Sequence, residues 1–168
     1  MTSDRLVELD NVTKVFSEDA GPAINAITAF VSGGHVTGLV GPDGAGKTTL
    51  LRLIAGLLLP TTGKVEACGF DTKNELPAIR DVVSYMPQRF GLYEDLTVAE
   101  NLSLYADLRG VVGEARTRTT TRLLEFTALA PFTDRLAGKL SGGMKQKLGL
   151  ACSLIQTPKL LLLDEPSV

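Results

Sequence analysis

The stretch GPDGAGKTT, residues 41–49, decides the fold, because it matches the phosphate-loop pattern GxxxxGK[ST] at every fixed position. A β-like run, HVTGLV at 35–40, precedes it. A run with apolar residues at helical spacing, LLRLIAGLLLP at 50–60, follows it. Strand, glycine-rich loop and helix in this order form the context that the pattern requires. The stretch therefore predicts a loop that binds phosphate groups.

Each residue type in this loop has a chemical reason. Gly41, Gly44 and Gly46 let the backbone curl so that its N–H groups face phosphate oxygens, and the following helix adds its positive end. Lys47 supplies a cation for the β- and γ-phosphates of a nucleotide, and the Thr48 hydroxyl is the expected Mg²⁺ ligand. A glycine-rich turn without function is the alternative.

Composition sets the class of protein. With 168 residues, 44% of them hydrophobic, the chain is long enough for one domain or most of one. Its net charge of −2 and its dispersed lysines and arginines give no support to nucleic-acid binding. Cys68 and Cys152 lie far apart without a CxxC pattern, which favours small buried residues over metal or redox sites. No apolar run is long enough to cross a membrane, so we expect the chain not to do so by itself.

The pattern of the chain predicts an α/β protein. Short β-like pieces are predicted at 6–9, 12–16, 27–31, 35–40, 65–68 and 82–86, with a closing strand at 160–164. Helices are predicted after the phosphate loop, from Thr97 to Gly110, at 114–128, and from Ser141 to about Gln156. Thr97 and Glu100 have the spacing of a capping box. The helix at 114–128 is expected to bury Ala115, Thr119, Leu123 and Phe126.

Two further stretches carry chemistry. LSGGMKQKLGL, residues 140–150, places Ser141, Gly142 and Gly143 at a helix N-terminus, where free N–H groups attract anions. LLLLDEP, residues 160–166, ends an apolar strand on two adjacent carboxylates, Asp164 and Glu165. Two phosphate-binding corners in one chain suggest that one nucleotide is shared between two copies.

The ordered set of motifs resembles the ATP-binding-cassette (ABC) family over all 168 residues. GPDGAGKTT looks like its Walker A loop and Gln88 in YMPQRF like its Q-loop glutamine. LSGGMKQK looks like its signature motif and LLLLDEP like its Walker B strand. The resemblance implies a P-loop NTPase fold, with a RecA-like parallel sheet core, an N-terminal antiparallel β subdomain and an inserted α-helical subdomain. The expected division is 1–88 for the β subdomain and Walker A core, 89–157 for the helical subdomain and 158–168 for the Walker B strand.

The resemblance also implies the roles of single residues in binding and hydrolysing ATP with Mg²⁺. Glu165 would orient or deprotonate the attacking water, and Gln88 would sense the γ-phosphate and the metal. Thr48, Gln88 and Asp164 would hold Mg²⁺, Asp164 through water. The residues implied to bind ATP are Phe16, stacked on adenine, then Gly41, Pro42, Asp43, Gly44, Ala45, Gly46, Lys47, Thr48 and Thr49, and, from a second copy in a head-to-tail dimer, Ser141, Gly142 and Gly143. Taken alone, Phe16 is more typical of a core residue.

Two positions depart from the family pattern. Asp43 replaces a more usual Asn and puts a carboxylate near the triphosphate, which we expect to weaken binding modestly. Met144 stands where the best-known form has Gln, and Gln146 follows two places on. LSGGMKQK is similar to a variant found in bacterial drug exporters.

The segment FGLYEDLTVAENLSLYADLRG, residues 90–110, resembles ATP-binding subunits that serve bacterial exporters with separate permease chains. This resemblance implies that the chain is the ATPase subunit of a multidrug or small-hydrophobic-compound efflux transporter. Such a subunit would lie on the cytoplasmic face of the bacterial inner membrane. Integral membrane permease subunits and a second ABC domain would be its partners, and no nucleic acid is expected. Phe90, Leu92 and Tyr93 are candidates for the permease contact or, equally, for packing inside the helical subdomain.

Two alternatives stay open. A soluble ABC ATPase acting on DNA or ribosomes is disfavoured, because no sustained heptads or paired cysteines separate Walker A from the signature. The second alternative is a fragment that binds a nucleotide without hydrolysing it, because the sequence shows neither a D-loop nor a switch histidine after Asp164. The single histidine, His35, precedes Walker A. The strand that would lie between those of Walker A and Walker B is also lacking, so we expect these 168 residues alone to be poorly stable and nearly inactive.

Overall fold

The computed structural model describes residues 5–17, 19, 21–88 and 91–166. The chain forms two compact units. The first comprises residues 1–85 and 159–162, and the second comprises residues 86–158 and 163–168. No helix in the described part of the chain combines the length and the apolar character needed to span a membrane.

Most strands lie in the first half of the chain, and the longer helices lie in the second half. The strands are β1 Arg5–Lys14, β2 Ile24–Ser32, β3 Thr62–Ala67, β4 Phe70–Asp71, β5 Val83–Met86 and β6 Leu160–Leu163. The helices are α1 Lys47–Ile54, α2 Leu76–Val82, α3 Val98–Leu108, α4 Gly113–Phe126 and α5 Gly142–Ser153, with 3₁₀ turns at Ala130–Phe132 and Ala137–Lys139. The α/β class and the antiparallel sheet at the start of the chain are therefore confirmed.

The first unit holds an antiparallel sheet in the order β2-β1-β3-β4. Its strand β1 is continuous, so the prediction of two separate pieces at 6–9 and 12–16 was wrong. Asn11 interrupts the pairing with a left-handed φ of 48°, and its N–H donates to the Thr28 hydroxyl at 3.0 Å. This bulge lets one strand continue past an irregularity that looks like a turn in the sequence.

The core of the first unit forms between this sheet and helix α1. Val12, Leu53 and Ala67 are fully buried in it, and Val65 is 2% exposed. Helix α1 ends at Ile54, and Gly56 has a left-handed φ of 68° two residues further on. Burial of these apolar side chains fixes α1 against the sheet.

The central strand predicted at 35–40 is not formed. Val36 and Val40 are 104% and 93% exposed, and no strand of the described residues pairs with this segment. A β-strand is held by hydrogen bonds to a neighbour, so a β-like sequence without one stays irregular. Strands β5 and β6 instead pair with each other in a separate two-stranded sheet.

Strands β5 and β6 run parallel. Lys159 N–H donates to the Val82 carbonyl at 2.8 Å, and Asp164 N–H donates to the Met86 carbonyl at 3.0 Å, so the pairing advances in the same direction along both strands. Strand β6 ends one residue before the predicted position 164. The carboxyl ends of the two strands therefore lie side by side.

In the second unit, helix α3 begins with the predicted capping box. Glu100 N–H donates to the Thr97 hydroxyl at 3.1 Å, and the Glu100 carboxylate accepts from Thr97 N–H at 2.8 Å. The bond from the Thr97 backbone, followed by that from its hydroxyl, lowers the pKa of Glu100. Both partners reduce the number of unsatisfied groups at the helix start.

Helix α4 buries only part of the face that was predicted. Leu123 is buried at 3%, as predicted, and Thr119 is half-buried, but Phe126 is 69% exposed and Ala115 is exposed. Arg116 accounts for the difference, because its guanidinium donates to Asp107 at 2.6 Å and to the Ser103 carbonyl at 3.1 Å, both on α3. These bonds draw the Arg116 side of α4 towards α3.

Helix α5 supplies the centre of the second unit's core. Leu148, Ala151 and Cys152 are buried among side chains of α3, including Leu102. Burial raises the pKa of Cys152 to about 12, which fits an inert packing residue. The helix ends at Ser153, earlier than the predicted Gln156.

Candidate nucleotide-binding site

The loop before α1 adopts a conformation that glycine alone can hold. Gly44 and Gly46 have left-handed φ values of 77° and 87°. A Cβ added to Gly46 would lie 2.4 Å from the Ala23 carbonyl oxygen, closer than any van der Waals contact allows. Ala45 N–H donates to the Pro42 carbonyl at 3.2 Å and closes the turn. The glycine pattern therefore reflects both backbone angle and space.

Lys47 reaches back across this loop. Its Nζ donates to the carbonyls of Gly41 at 2.8 Å and Pro42 at 2.9 Å. No side chain caps helix α1, and its first residues follow directly on Gly46. A cation and the positive end of a helix thus meet at one loop, which is an arrangement that attracts phosphate.

The remaining predicted loop residues lie around this centre. Asp43 is exposed, while Thr48 and Thr49 are half-buried in the first turn of α1. Phe16, between β1 and β2, is 62% exposed, with Lys14 Nζ 5.2 Å from its ring centroid. Phe16 is therefore not a core residue, and its ring is open to a flat partner.

The acidic residues after β6 belong to the second unit. Asp164 is 3% exposed, whereas Glu165 is exposed and has a left-handed φ of 49°. The Gln88 side-chain amide donates to the Glu165 carboxylate at 2.6 Å. The structure therefore brings together two of the predicted catalytic side chains, from the ends of neighbouring strands.

The donor set fits Mg²⁺. Asp164 offers a carboxylate, and Gln88, whose nitrogen is engaged by Glu165, keeps its amide oxygen for another partner. Hard oxygen ligands of these kinds are those that Mg²⁺ takes in proteins. The Thr48 hydroxyl belongs to the first unit, so its part in a metal site stays a prediction.

Helix α5 begins at the second predicted anion corner. The Ser141 hydroxyl accepts from Met144 N–H at 3.3 Å and caps the helix. Gly142 and Gly143 are exposed, and a Cβ added to either would meet no atom within 4 Å. This corner is an open surface rather than a formed pocket.

Sequence reasoning missed two contacts made by the next turn of α5. Lys145 Nζ donates to Glu94 at 2.7 Å, and the Gln146 side-chain amide donates to the Pro166 carbonyl. One signal for Gln146 was present in the sequence, because a glutamine stands there two places after its usual position in the signature motif. Its partner Pro166 lies 20 positions further along the chain, so no local pattern pointed to the bond.

The three candidates for a permease contact differ in placement. Leu92 is partly buried against the second unit's core, which favours packing. Tyr93 is 54% exposed, and its backbone is held by the buried side chain of Asn101. Phe90 lies outside the described residues.

Comparison with known proteins gives consistent matches. A profile of the ABC transporter family matches residues 24–168. The Escherichia coli (strain K12) protein named "Probable multidrug ABC transporter ATP-binding protein YbhF" is 60% identical over 99% of this chain. "Nod factor export ATP-binding protein I" of Burkholderia lata is 37% identical over 96% of it. This chain spans 29% and 52% of the lengths of these two relatives.

Solved structures agree. The ATP-binding subunit of an ABC transporter aligns with a TM-score of 0.86 at 29% identity, over 97% of this chain and 67% of that one. A dimeric ATP-binding cassette in a post-hydrolysis state, bound to ADP and Pi, aligns with a TM-score of 0.85 at 30% identity, over 96% of this chain and 74% of that one. With a family profile that matches most of its residues and a fold shared with such cassettes, this chain belongs to the ABC transporter family.

Proposed function

We propose that this chain binds and hydrolyses ATP as the ATP-binding subunit of an ABC efflux transporter. The observation that carries the proposal is the position of Lys47, whose ammonium crosses a glycine-rich loop at the start of an uncapped helix. Its present partners are neutral carbonyls. Triphosphate oxygens, which are charged, would be stronger partners and would displace them.

Each loop residue then has a task in binding. The backbone N–H groups of residues 41–49 surround the phosphates, and Lys47 turns from the Gly41 and Pro42 carbonyls to the β- and γ-phosphates. Phe16 stacks on adenine through its exposed face. Asp43 opposes the triphosphate charge from the exposed tip of the loop and weakens binding modestly.

Hydrolysis is the task of residues after β5 and β6. Glu165 orients the attacking water and accepts its proton, and Gln88 links the carboxylate to the γ-phosphate end of the site. When bound, Mg²⁺ neutralises charge on the phosphate oxygens, held by Thr48, Gln88 and, through water, Asp164. The buried position of Asp164 favours a fixed metal ligand over a mobile base.

A second copy completes the site. Ser141, Gly142 and Gly143 of the other copy cover the nucleotide in a head-to-tail dimer, because their exposed corner offers a hydroxyl and helix N–H groups to phosphate. Two similar solved structures, at 30% and 28% identity, are dimeric cassettes. Nucleotide then holds the dimer together, and hydrolysis releases it.

We propose that the free energy of ATP hydrolysis drives the export of drugs or other small hydrophobic compounds. The relative at 60% identity has a multidrug transporter name, whereas a "Methionine import ATP-binding protein MetN 2" from Burkholderia mallei reaches 39%. Integral membrane permease subunits would choose the substrate, with this chain on the cytoplasmic face of the bacterial inner membrane. Exposed Tyr93 is the proposed contact with them.

We expect the 168-residue chain alone to turn over ATP slowly. Residues 36–40, which lead directly into the phosphate loop, are exposed and have no strand partner in the described part of the chain. A loop whose entry is not held in a sheet is poorly preorganised for its ligand. Activity should therefore be measured on the native protein at full length.

The test is an ATPase assay on the full-length protein and on three variants. Lys47→Met should lose ATP binding, and Glu165→Gln should bind ATP but lose turnover, each lowering the rate by about 100-fold or more. Lys73→Met, an exposed lysine of the first unit, is the matched control and should keep the wild-type rate. Wild-type protein without ATP turnover, or full activity of Glu165→Gln, would contradict the proposal.

Transport is tested separately, with the permease subunits present. Inside-out membrane vesicles should accumulate a hydrophobic fluorescent dye when ATP is added, and vesicles carrying Glu165→Gln should not. Accumulation in right-side-out vesicles instead would reverse the proposed direction.

A further inference from the structure

Glu165 is held in a conformation that its own backbone does not favour. Its φ of 49° is left-handed, a conformation that is unfavourable for a residue other than glycine. A strained residue keeps its conformation only when the surrounding contacts fix it. The contacts around Glu165 therefore decide where its carboxylate lies.

Contacts at three consecutive residues fix this segment. Asp164 N–H donates to the Met86 carbonyl at 3.0 Å, and the Glu165 carboxylate accepts from the Gln88 amide at 2.6 Å. On the other side, the Pro166 carbonyl accepts from the Gln146 side-chain amide. The first two contacts are made by Met86, at the end of β5, and by Gln88, two residues later. The third contact comes from helix α5.

Helix α5 is itself well anchored. Leu148, Ala151 and Cys152 lie in the second unit's core. The Lys145 side chain, 25% exposed, forms an ion pair with Glu94 at 2.7 Å. Gln146 therefore extends from a well-packed element, and its bond can hold residue 166, which follows β6.

Gln146 is also close to the start of its helix. Three residues separate it from Gly143, which is about 4.5 Å along a helix axis and nearly one turn. Residues at this spacing share a face of the helix. The helix end that would meet a second copy's nucleotide and the amide that holds Pro166 thus belong to one rigid turn.

We propose that Gln146 is a positioning residue for Glu165. Its hydrogen bond to the Pro166 carbonyl fixes the backbone that follows Glu165, so the carboxylate stays at the angle needed to orient water. The role of Glu165 in hydrolysis rests on the proposed function, whereas the fixing of its backbone by Gln146 does not. In this role Gln146 acts through the Pro166 backbone and is not itself a catalytic residue.

The first test compares kinetic constants of full-length variants. Gln146→Met keeps the length of the side chain but removes the donor, and it should lower kcat by between about 10- and 100-fold with an unchanged KM for ATP. Gln146→Lys restores an N–H donor and should recover most of the rate. Lys147→Met, exposed on the same helix, is the control and should match wild type. A Gln146→Met rate equal to that of Lys147→Met would overturn the proposal.

A double variant separates positioning of Glu165 from general damage. In the Glu165→Gln background, Gln146→Met should change the residual rate by less than about 2-fold, because the carboxylate that it positions is already gone. A loss as large as in the wild-type background would assign Gln146 to another role.

Hydrogen exchange tests the same contact without any activity. The peptide covering residues 160–166 should exchange faster in Gln146→Met than in wild type or Lys147→Met, since the Pro166 carbonyl loses its partner. Unchanged exchange would overturn the proposal. Faster exchange in a protein that does not hydrolyse ATP would instead keep the contact and refute the proposed function.

Discussion

Helices α1 and α5 both begin next to glycines, but their starts are built differently. At α1 no side chain caps the helix, and the backbone enters through the left-handed Gly46. At α5 the Ser141 hydroxyl accepts from Met144 N–H, and the neighbouring glycines are unstrained. The start of α5 thus has one N–H group satisfied by its own cap, whereas no side chain satisfies any N–H group at the start of α1.

The lysines of the two helix starts show the same contrast. Lys47 is held by two neutral carbonyls, which a phosphate can replace. Lys145 is paired with the carboxylate of Glu94 at 2.7 Å, which neutralises its charge. Attraction for phosphate is therefore concentrated at α1, and α5 can contribute to a nucleotide that another copy already holds.

The largest expected effect is at the start of α1. Gly46→Ala would place a Cβ 2.4 Å from the Ala23 carbonyl oxygen in a left-handed backbone, so both strain and overlap would destabilise the first unit. We expect a loss of about 2–5 kcal/mol in the free energy of unfolding, measured by urea denaturation.

Gly44→Ala is the matched control for this effect. It shares the left-handed φ, but its Cβ would meet nothing within 4 Å, so it should lose only about 1 kcal/mol. Equal losses for the two variants would show that space around Gly46 is not what makes it a glycine.

Local chemistry explains which features could be predicted from the sequence. The phosphate loop, the Thr97 capping box and the Ser141 cap each depend on residues within a few positions of one another. The strand predicted at 35–40 is not formed, and Ala115 and Phe126 of α4 were wrongly predicted to be buried, because each feature depends on a distant partner. Pairing between strands and the reach of Arg116 to α3 are not visible in a local pattern.

The same distinction applies to the site. Gln88 and Glu165 were expected to act together from the family resemblance, and the structure brings their side chains to 2.6 Å. The shifted glutamine of the signature drew attention to Gln146, but nothing in the sequence identified Pro166 as its partner. Composition and motif spacing can identify the reacting groups, but not the contacts that hold them.

An intermediate effect on the free energy of unfolding is expected at the start of α5. Ser141→Ala removes the hydroxyl that caps the helix and should cost about 1 kcal/mol of stability. Ser141→Asp keeps an acceptor at this position and should stay close to wild type in urea denaturation. If Ser141→Ala is as stable as Ser141→Asp, the helix start does not depend on its own cap, and the contrast with α1 fails.

A smaller, pH-dependent effect is expected at α3, whose cap carries a charge. The Thr97 backbone and hydroxyl lower the pKa of Glu100, so its bonds stabilise the folded state fully above the unfolded pKa and progressively less as pH falls through the folded pKa. Glu100→Gln should therefore lower the urea midpoint at pH 7, and the difference from wild type should shrink as pH falls through the folded-state pKa of Glu100. A difference independent of pH would assign the effect to side-chain packing instead.

The smallest effect on the fold, and the sharpest test of the contrast, is expected at Gly143. A Cβ there meets no atom within 4 Å and the backbone is not left-handed, so Gly143→Ala should change stability by less than about 0.5 kcal/mol. Its methyl group would nevertheless occupy the surface proposed to approach a second copy's nucleotide. In the Glu165→Gln background of the full-length protein, ATP should produce a dimer by light scattering, and adding Gly143→Ala should abolish it. A dimer that forms normally would show that the start of α5 does not meet the nucleotide, because the loss of this glycine would then affect neither folding nor assembly.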